Sequence, residues 1–179
     1  MSASEKMAQE NVAAVAENGK GNGAVAKLPT FSILKPHLIV EAPHAADAIS
    51  FYKRVFGAEE IAKSHHPKRK ADQELPLILH AHLKFGAAEV MVCDETEEAG
   101  AEVKSPVALK GTSVILHLET DDVDAAVKLA VEAGATVTEE VAERPWGQRY
   151  GKVKDPYGFV WSFATTIKES AVAEDHAQA

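Results

Sequence analysis

The chain has 179 residues, 46% of them hydrophobic, with 19 Lys and Arg against 27 Asp and Glu, a formal charge of −8. That length suits one domain of ordinary size or two small modules packed together. The acidic balance excludes broad electrostatic binding to nucleic acid. One cysteine, Cys93, excludes an intramolecular disulfide and a cysteine-rich zinc site. No apolar run is long enough for a membrane span. The first thirty residues hold three Glu, three Lys and no Arg, with no apolar signal core. The expected location is therefore cytoplasmic, with nuclear access for so small a protein.

In chain order, residues 1–30 are rich in Ala, Gly, Asn, Glu and Lys and contain no aromatic residue. They read as a disordered tail, as do residues 168–179, because neither offers enough apolar surface to offset the entropy of ordering. A transient helix over Met7–Ala16 is the alternative. Order is expected over 31–167. Ile33–Glu41 suits a strand. Ala48, Ile49, Tyr52, Val55 and Phe56 recur at helical spacing, and Gly57 is placed to end that helix. Ile61–His65 is a short strand, and Ser64–Pro76 a long loop of the kind that is often functional. Leu77–Phe85 and Glu89–Asp94 are two strands turning at Gly86-Ala87. The acidic stretch 95–110 reads as a linker between a first unit (31–94) and a second (111–167).

The pattern then recurs. Ser113–Thr120 is a strand. Asp121 or Asp122 caps a helix carrying Val123, Ala126, Val127, Ala130 and Val131, which Gly134 ends. Val137–Val141, Gln148–Lys154 and Phe159–Ala164 are three strands, the last two flanking the turn Asp155-Pro156-Tyr157-Gly158. Strand–helix–strand–strand–strand therefore occurs twice, with Gly57-Ala58 and Gly134-Ala135 at matching places. The fold expected is α+β: two paired βαβββ units forming a cup-shaped mixed sheet with the helices outside. Each unit alone is too small to bury its sheet well, so the two should pack together.

This duplication resembles the vicinal-oxygen-chelate superfamily of glyoxalase I, bleomycin-resistance proteins and extradiol dioxygenases. The resemblance is strongest to its PhnB-like branch. It rests on Phe51-Tyr52-Lys53 with Phe56-Gly57-Ala58, on Trp146-Gly147-Gln148-Arg149-Tyr150-Gly151, and on Asp155-Pro156-Tyr157-Gly158 with Trp161. His66-Pro67-Lys68-Arg69-Lys70 running to Leu75-Pro76 is similar to a plant subgroup of glyoxalase-like proteins. The resemblance implies a cup and, where a metal is held, ligands from the first and last strands of both units. Carried over residue by residue, those positions fall on His37, Met91, Ile115 and Ser162. Only His37 is a competent ligand. A one-residue shift at Met91 or Ser162 recovers no carboxylate, and a lost metal site removes the electrophile that would stabilise a developing oxyanion.

Strand alternation supplies a second reading. His37, Ile39 and Glu41 share one face; Ser113, Ile115, His117 and Glu119 share another; Glu89, Met91 and Cys93 share a third. His80 and His82 can join them. A simple register across the turn pairs Gly151 with Ser162 and places Arg149 on the cup side, with Tyr150 and Phe163 behind. Trp146 stands at the rim. Such a cup suits a small polar or anionic ligand held by Arg149, with Glu41, His82, Met91, Ile115, Trp146 and Ser162 around it. His37 and His117 are the candidates for proton transfer, each with a carboxylate nearby in sequence. Equally, these polar groups can simply satisfy one another in a wet cavity. His80-Ala81-His82 offers two nitrogens on one strand face but no third ligand. Lys68-Arg69-Lys70 reads as a solvated loop tip, and Cys93 as a buried, inert thiol.

The expected function is metal-free binding of a small molecule, without a cofactor, by a homodimer that touches neither nucleic acid nor membrane. Two alternatives stay open. One is a metal-dependent, lactoylglutathione-lyase-like enzyme acting on a 2-oxo compound with a divalent ion at His37. The other is a non-catalytic interaction protein using the 64–76 loop and the acidic linker.

Overall fold

A computed structural model describes residues 29–67 and 76–165, apart from the side chain of Glu98. The expectations for both tails, for Met7–Ala16 and for Lys68-Arg69-Lys70 lie outside the described residues. The chain divides between Leu34 and Lys35, and both repeats lie in the C-terminal body. No helix among the described residues is long and apolar enough to cross a membrane.

The first repeat runs β1 (His37–Val40), α1 (Ala45–Phe56), β2 (Glu59–His65), β3 (Ile78–Phe85) and β4 (Ala88–Asp94). A 3₁₀ turn (Glu97–Ala99) and a short helix α2 (Pro106–Leu109) lead to β5 (Ile115–Thr120), α3 (Val123–Glu132), β6 (Thr136–Glu143), β7 (Arg149–Lys154) and β8 (Val160–Thr165). The strands form two four-stranded sheets of identical topology, β1-β4-β3-β2 and β5-β8-β7-β6. In each, the first and last strands of the repeat pair parallel and the other pairs are antiparallel. The duplication and the α+β class are as expected, with the mixed sheet present as two ladders. β1 is shorter than expected. β2 ends at His65 as expected but starts two residues earlier, at Glu59, and Ser64 and His65 belong to it and not to the loop. The linker contains a helix, α2, that Pro at its first turn and the Ser105 side chain, accepting from Ala108 N–H, cap at its start.

Helix α1 forms because Ala45, Ala48, Ile49, Phe51 and Tyr52 line one face and are buried. Gly57 ends it in the left-handed conformation, at φ 66°. Its first turn is fixed from another element: buried Asp94, at the end of β4, accepts from Ala45 N–H (2.9 Å) and from Ile78 N–H (2.6 Å). Asp122 caps α3 by accepting from Ala125 N–H, as the sequence suggests.

Leu38 and Val40, with their partners Val90, Val92, Ala81 and Leu83, form the helix-facing side of the first sheet. Both repeats feed one core. The Phe56 and Trp161 rings lie 4.6 Å apart between centroids, Tyr52 and Trp161 5.2 Å, and Phe51 and Tyr157 6.2 Å. Asp155 completes this junction. Its Oδ1 accepts from the N–H groups of Tyr157 and Phe159, and its Oδ2 from the Tyr52 hydroxyl and the Trp161 indole. Burial pushes the Asp155 carboxyl above its ordinary value, against the pull of those four donors.

Candidate functional site

The side of each sheet away from its helix is the open face, and β-strand alternation decides what it carries. In the first repeat the Cα register pairs His37 with Met91 and Met91 with His82, so these three residues share a row. Lys35 Nζ lies 2.6 Å from Glu89 Oε2, and His82 Nε2 lies 2.6 Å from the same oxygen. Lys35 Nζ also lies 3.0 Å from His82 Nε2, so lysine, imidazole and carboxylate form one compact triangle. Lys35, then His82, hold the Glu89 carboxyl below its usual range. Partial burial, reinforced by His80, lowers the pKa of His37 and keeps its imidazole neutral near pH 7. Glu41 falls one residue beyond β1 and is exposed. Cys93 is buried, and burial pushes its thiol up to about 11, so it is the inert thiol the sequence suggests. Beside β1 a cleft of about 290 Å³ is lined by His37 and Ile39 together with Val103, Leu109 and Val114.

In the second repeat His117 pairs with Ser162, and His117 Nδ1 lies 2.8 Å from Ser162 Oγ. Ser162 is buried; Ile115 and His117 are exposed. The row equivalent to His37–Met91 is therefore His117–Ser162. Ile115, expected there by counting back from the helix, stands two residues earlier on the same face. The count slips because four residues separate β1 from α1 and only two separate β5 from α3.

Arg149 is a correction. The observed ladder pairs Tyr150 with Ala164 and Lys152 with Ser162, one residue off the expected register. Five residues, Asp155–Phe159, link the paired ends Lys154 and Val160, because the Asp155 side chain ties down Tyr157 and Phe159 and Asp155 N–H donates to Phe159 O. A one-residue shift reverses the faces. Arg149 thus lies on the helix side and pairs with Asp124 of α3, its Nη2 2.7 Å from Oδ1, with Glu143 Oε1 3.8 Å from Nη1. Asp124 raises the pKa of the Arg149 guanidinium, so the side chain is ion-paired on the helix side rather than set on the open face.

Tyr150 and Lys152 take the place expected of Arg149. The rings of His117 and Tyr150 stack with centroids 6.4 Å apart, and Trp146 meets Tyr150 edge-on at 6.0 Å. Arg144 and Lys152 lie over the Tyr150 ring, 5.5 and 5.6 Å from its centroid. Both cations pair with Glu139, Lys152 at 2.8 Å. Trp146 is exposed, at the tip of the β6–β7 connection, where Gly147 adopts φ 85°. Period-two alternation would have found Tyr150 and Lys152 had the turn been counted as five residues.

The chain matches the description Glyoxalase At5g48480-like twice, its N-terminal domain over residues 37–95 and its C-terminal domain over residues 115–164. The chain belongs to the At5g48480-like glyoxalase family. It is similar to protein At5g48480 of Arabidopsis thaliana, with 42% identity over 171 residues that cover 95% of this chain and 98% of that one. The crystal structure of the At5g48480 gene product gives a TM-score of 0.60 at 35% identity over 75% of this chain and 99% of that chain. Two more distant structures share the fold. A PhnB protein from Bacillus cereus has a TM-score of 0.56 at 18% identity, covering 75% of this chain and all of its own. A member of the glyoxalase/bleomycin resistance protein/dioxygenase superfamily from Sphaerobacter thermophilus has 0.51 at 20%, covering 75% and 98%. The family and the PhnB-like fold are those the sequence motifs pointed to.

The donor set of this At5g48480-like chain does not fit the divalent metal that the resemblance implies. The equivalent rows offer His37 with a thioether, and His117 with a hydroxyl already engaged by its Nδ1. Among the described residues no three His, Cys, Asp or Glu side chains stand close enough to hold an ion.

Proposed function

We propose that this At5g48480-like protein binds a small polar or anionic molecule on the open faces of its sheets, without a metal. The observation that carries this reading is the pair of equivalent rows, His37–Met91 and His117–Ser162, which present imidazoles and no carboxylate. Neutral imidazoles donate and accept, and Lys35, Arg144 and Lys152 supply positive charge beside them. His82, His37 and His117 are the groups able to move a proton; no cluster among the described residues would hold a metal beside them as a Lewis acid, which favours binding over metal-dependent turnover.

Metal analysis of the dialysed full-length protein tests this. The expected result is well below one divalent ion per chain, and no turnover of the methylglyoxal–glutathione hemithioacetal with zinc or nickel added back. One retained ion per chain, lost in His37→Ala, would overturn the reading.

The same reading includes a cytoplasmic homodimer. The dimer is supported by the outer edges of β1 and β5, which have no strand partner among the described residues, and by the exposed apolar side chains Val103, Leu109, Val114 and Ile115 near them.

A further inference from the structure

The second repeat carries, on its open face, an aromatic and cationic group built from three elements. Arg144 follows β6, Trp146 tops the β6–β7 connection, Tyr150 and Lys152 lie on β7, and Glu139 reaches across from β6. Two cations share one carboxylate, so the group is net positive on a chain of charge −8. Arg144 Nε is buried and has no acceptor among the described residues, an unmet donor of a kind folded proteins rarely leave. Tyr150 has its ring occupied by Arg144, Lys152 and His117. It acts as a positioning residue, meeting Trp146 edge-on while Trp146 as a whole stays 60% exposed.

Trp146 is a large exposed side chain that contacts Tyr150, the ring over which Arg144 and Lys152 lie. Flat π-systems cover an indole best by stacking, and an anionic substituent on them would meet Lys152 and Arg144. We propose that this surface binds the planar aromatic end of an organic acid, its ring stacked on Trp146 and its carboxylate taken by Lys152 and Arg144 beside or in place of Glu139. This rests on the small-anion reading above and narrows it to aromatic carboxylates. Glu139 then acts as an internal competitor, occupying the cations until the ligand arrives.

The test uses the full chain labelled with ¹⁵N, titrated with three probes. Benzoate has ring and charge, cyclohexanecarboxylate the charge alone, and benzyl alcohol the ring alone. The two indole N–H signals report directly: Trp161 is buried on Asp155 and serves as the internal control. Benzoate should shift the Trp146 signal saturably, at least about tenfold more tightly than either other probe. Lys152→Met should weaken benzoate about tenfold, and Glu139→Gln should tighten it about threefold and steepen its loss with salt. Equal binding of all three probes, or weaker benzoate binding in Glu139→Gln, overturns the proposal. Saturation at His37 and His82 with the Trp146 signal unmoved overturns it while leaving the small-anion reading intact. No saturation anywhere by any probe removes both.

Discussion

Asp155 draws four donors to one buried carboxylate: two from its own turn, the Trp161 indole from β8, and the Tyr52 hydroxyl from the other repeat. Burial and the neighbouring carboxylate push the Tyr52 phenol well above its ordinary value, so it stays a donor. Asp155→Ala would strand all four donors in a nearly dry site. The expected loss is about 3–5 kcal/mol, since an unmet buried donor costs more than the bond itself returns. Asp155→Asn should lose less, because its amide oxygen still accepts. Urea unfolding of both variants checks this, and an Asp155→Ala midpoint matching the parent would mean that water replaces the carboxylate. The DP-x-G sequence is visible as a turn from residue types alone. That its aspartate also ties the repeats together is not, because Tyr52 stands 103 positions away.

At the scale of elements, the β7–β8 hairpin sets what the open face presents. Its five-residue connection puts Tyr150 and Lys152 there and sends Arg149 to α3. Gly158 makes that connection possible, with φ at +90°. A Cβ at this position would also stand 2.9 Å from Pro106 Cβ, on α2. Gly158→Ala should therefore cost about 1–3 kcal/mol from the backbone alone, and loosen the packing of α2 against the turn. Amide hydrogen exchange checks the second effect: faster exchange at Ala108 and Leu109 is expected, and unchanged exchange there would show that α2 does not depend on the turn. The presence of a hairpin follows from its residues. The register does not, since one extra residue in the turn is a matter of side-chain hydrogen bonding rather than of pattern.

For the whole molecule, the two repeats share one aromatic core but leave their open faces and the outer edges of β1 and β5 without strand partners among the described residues. The proposed dimer would cover such edges. Light scattering at micromolar concentration should give twice the 19.2 kDa chain mass. Val114→Lys with Ile115→Lys should shift that mass toward one chain with the circular dichroism unchanged. A parent protein that scatters as a single chain at all concentrations would remove the dimer from the proposal.

By itself, the sequence determined the duplicated strand–helix–strand order, the helix end at Gly57 and an aspartate cap at Asp121 or Asp122, the family, and the absence of carboxylates at Met91 and Ser162. These are local facts: apolar period, capping chemistry and residue identity are all read within a few positions. Only the tertiary structure decided that His117 rather than Ile115 matches His37, that Arg149 belongs to the helix side, and that Arg144, Trp146, Tyr150 and Lys152 meet around one ring. Each of those depends on loop length and ladder register, where a slip of a single residue turns every side chain to the opposite face.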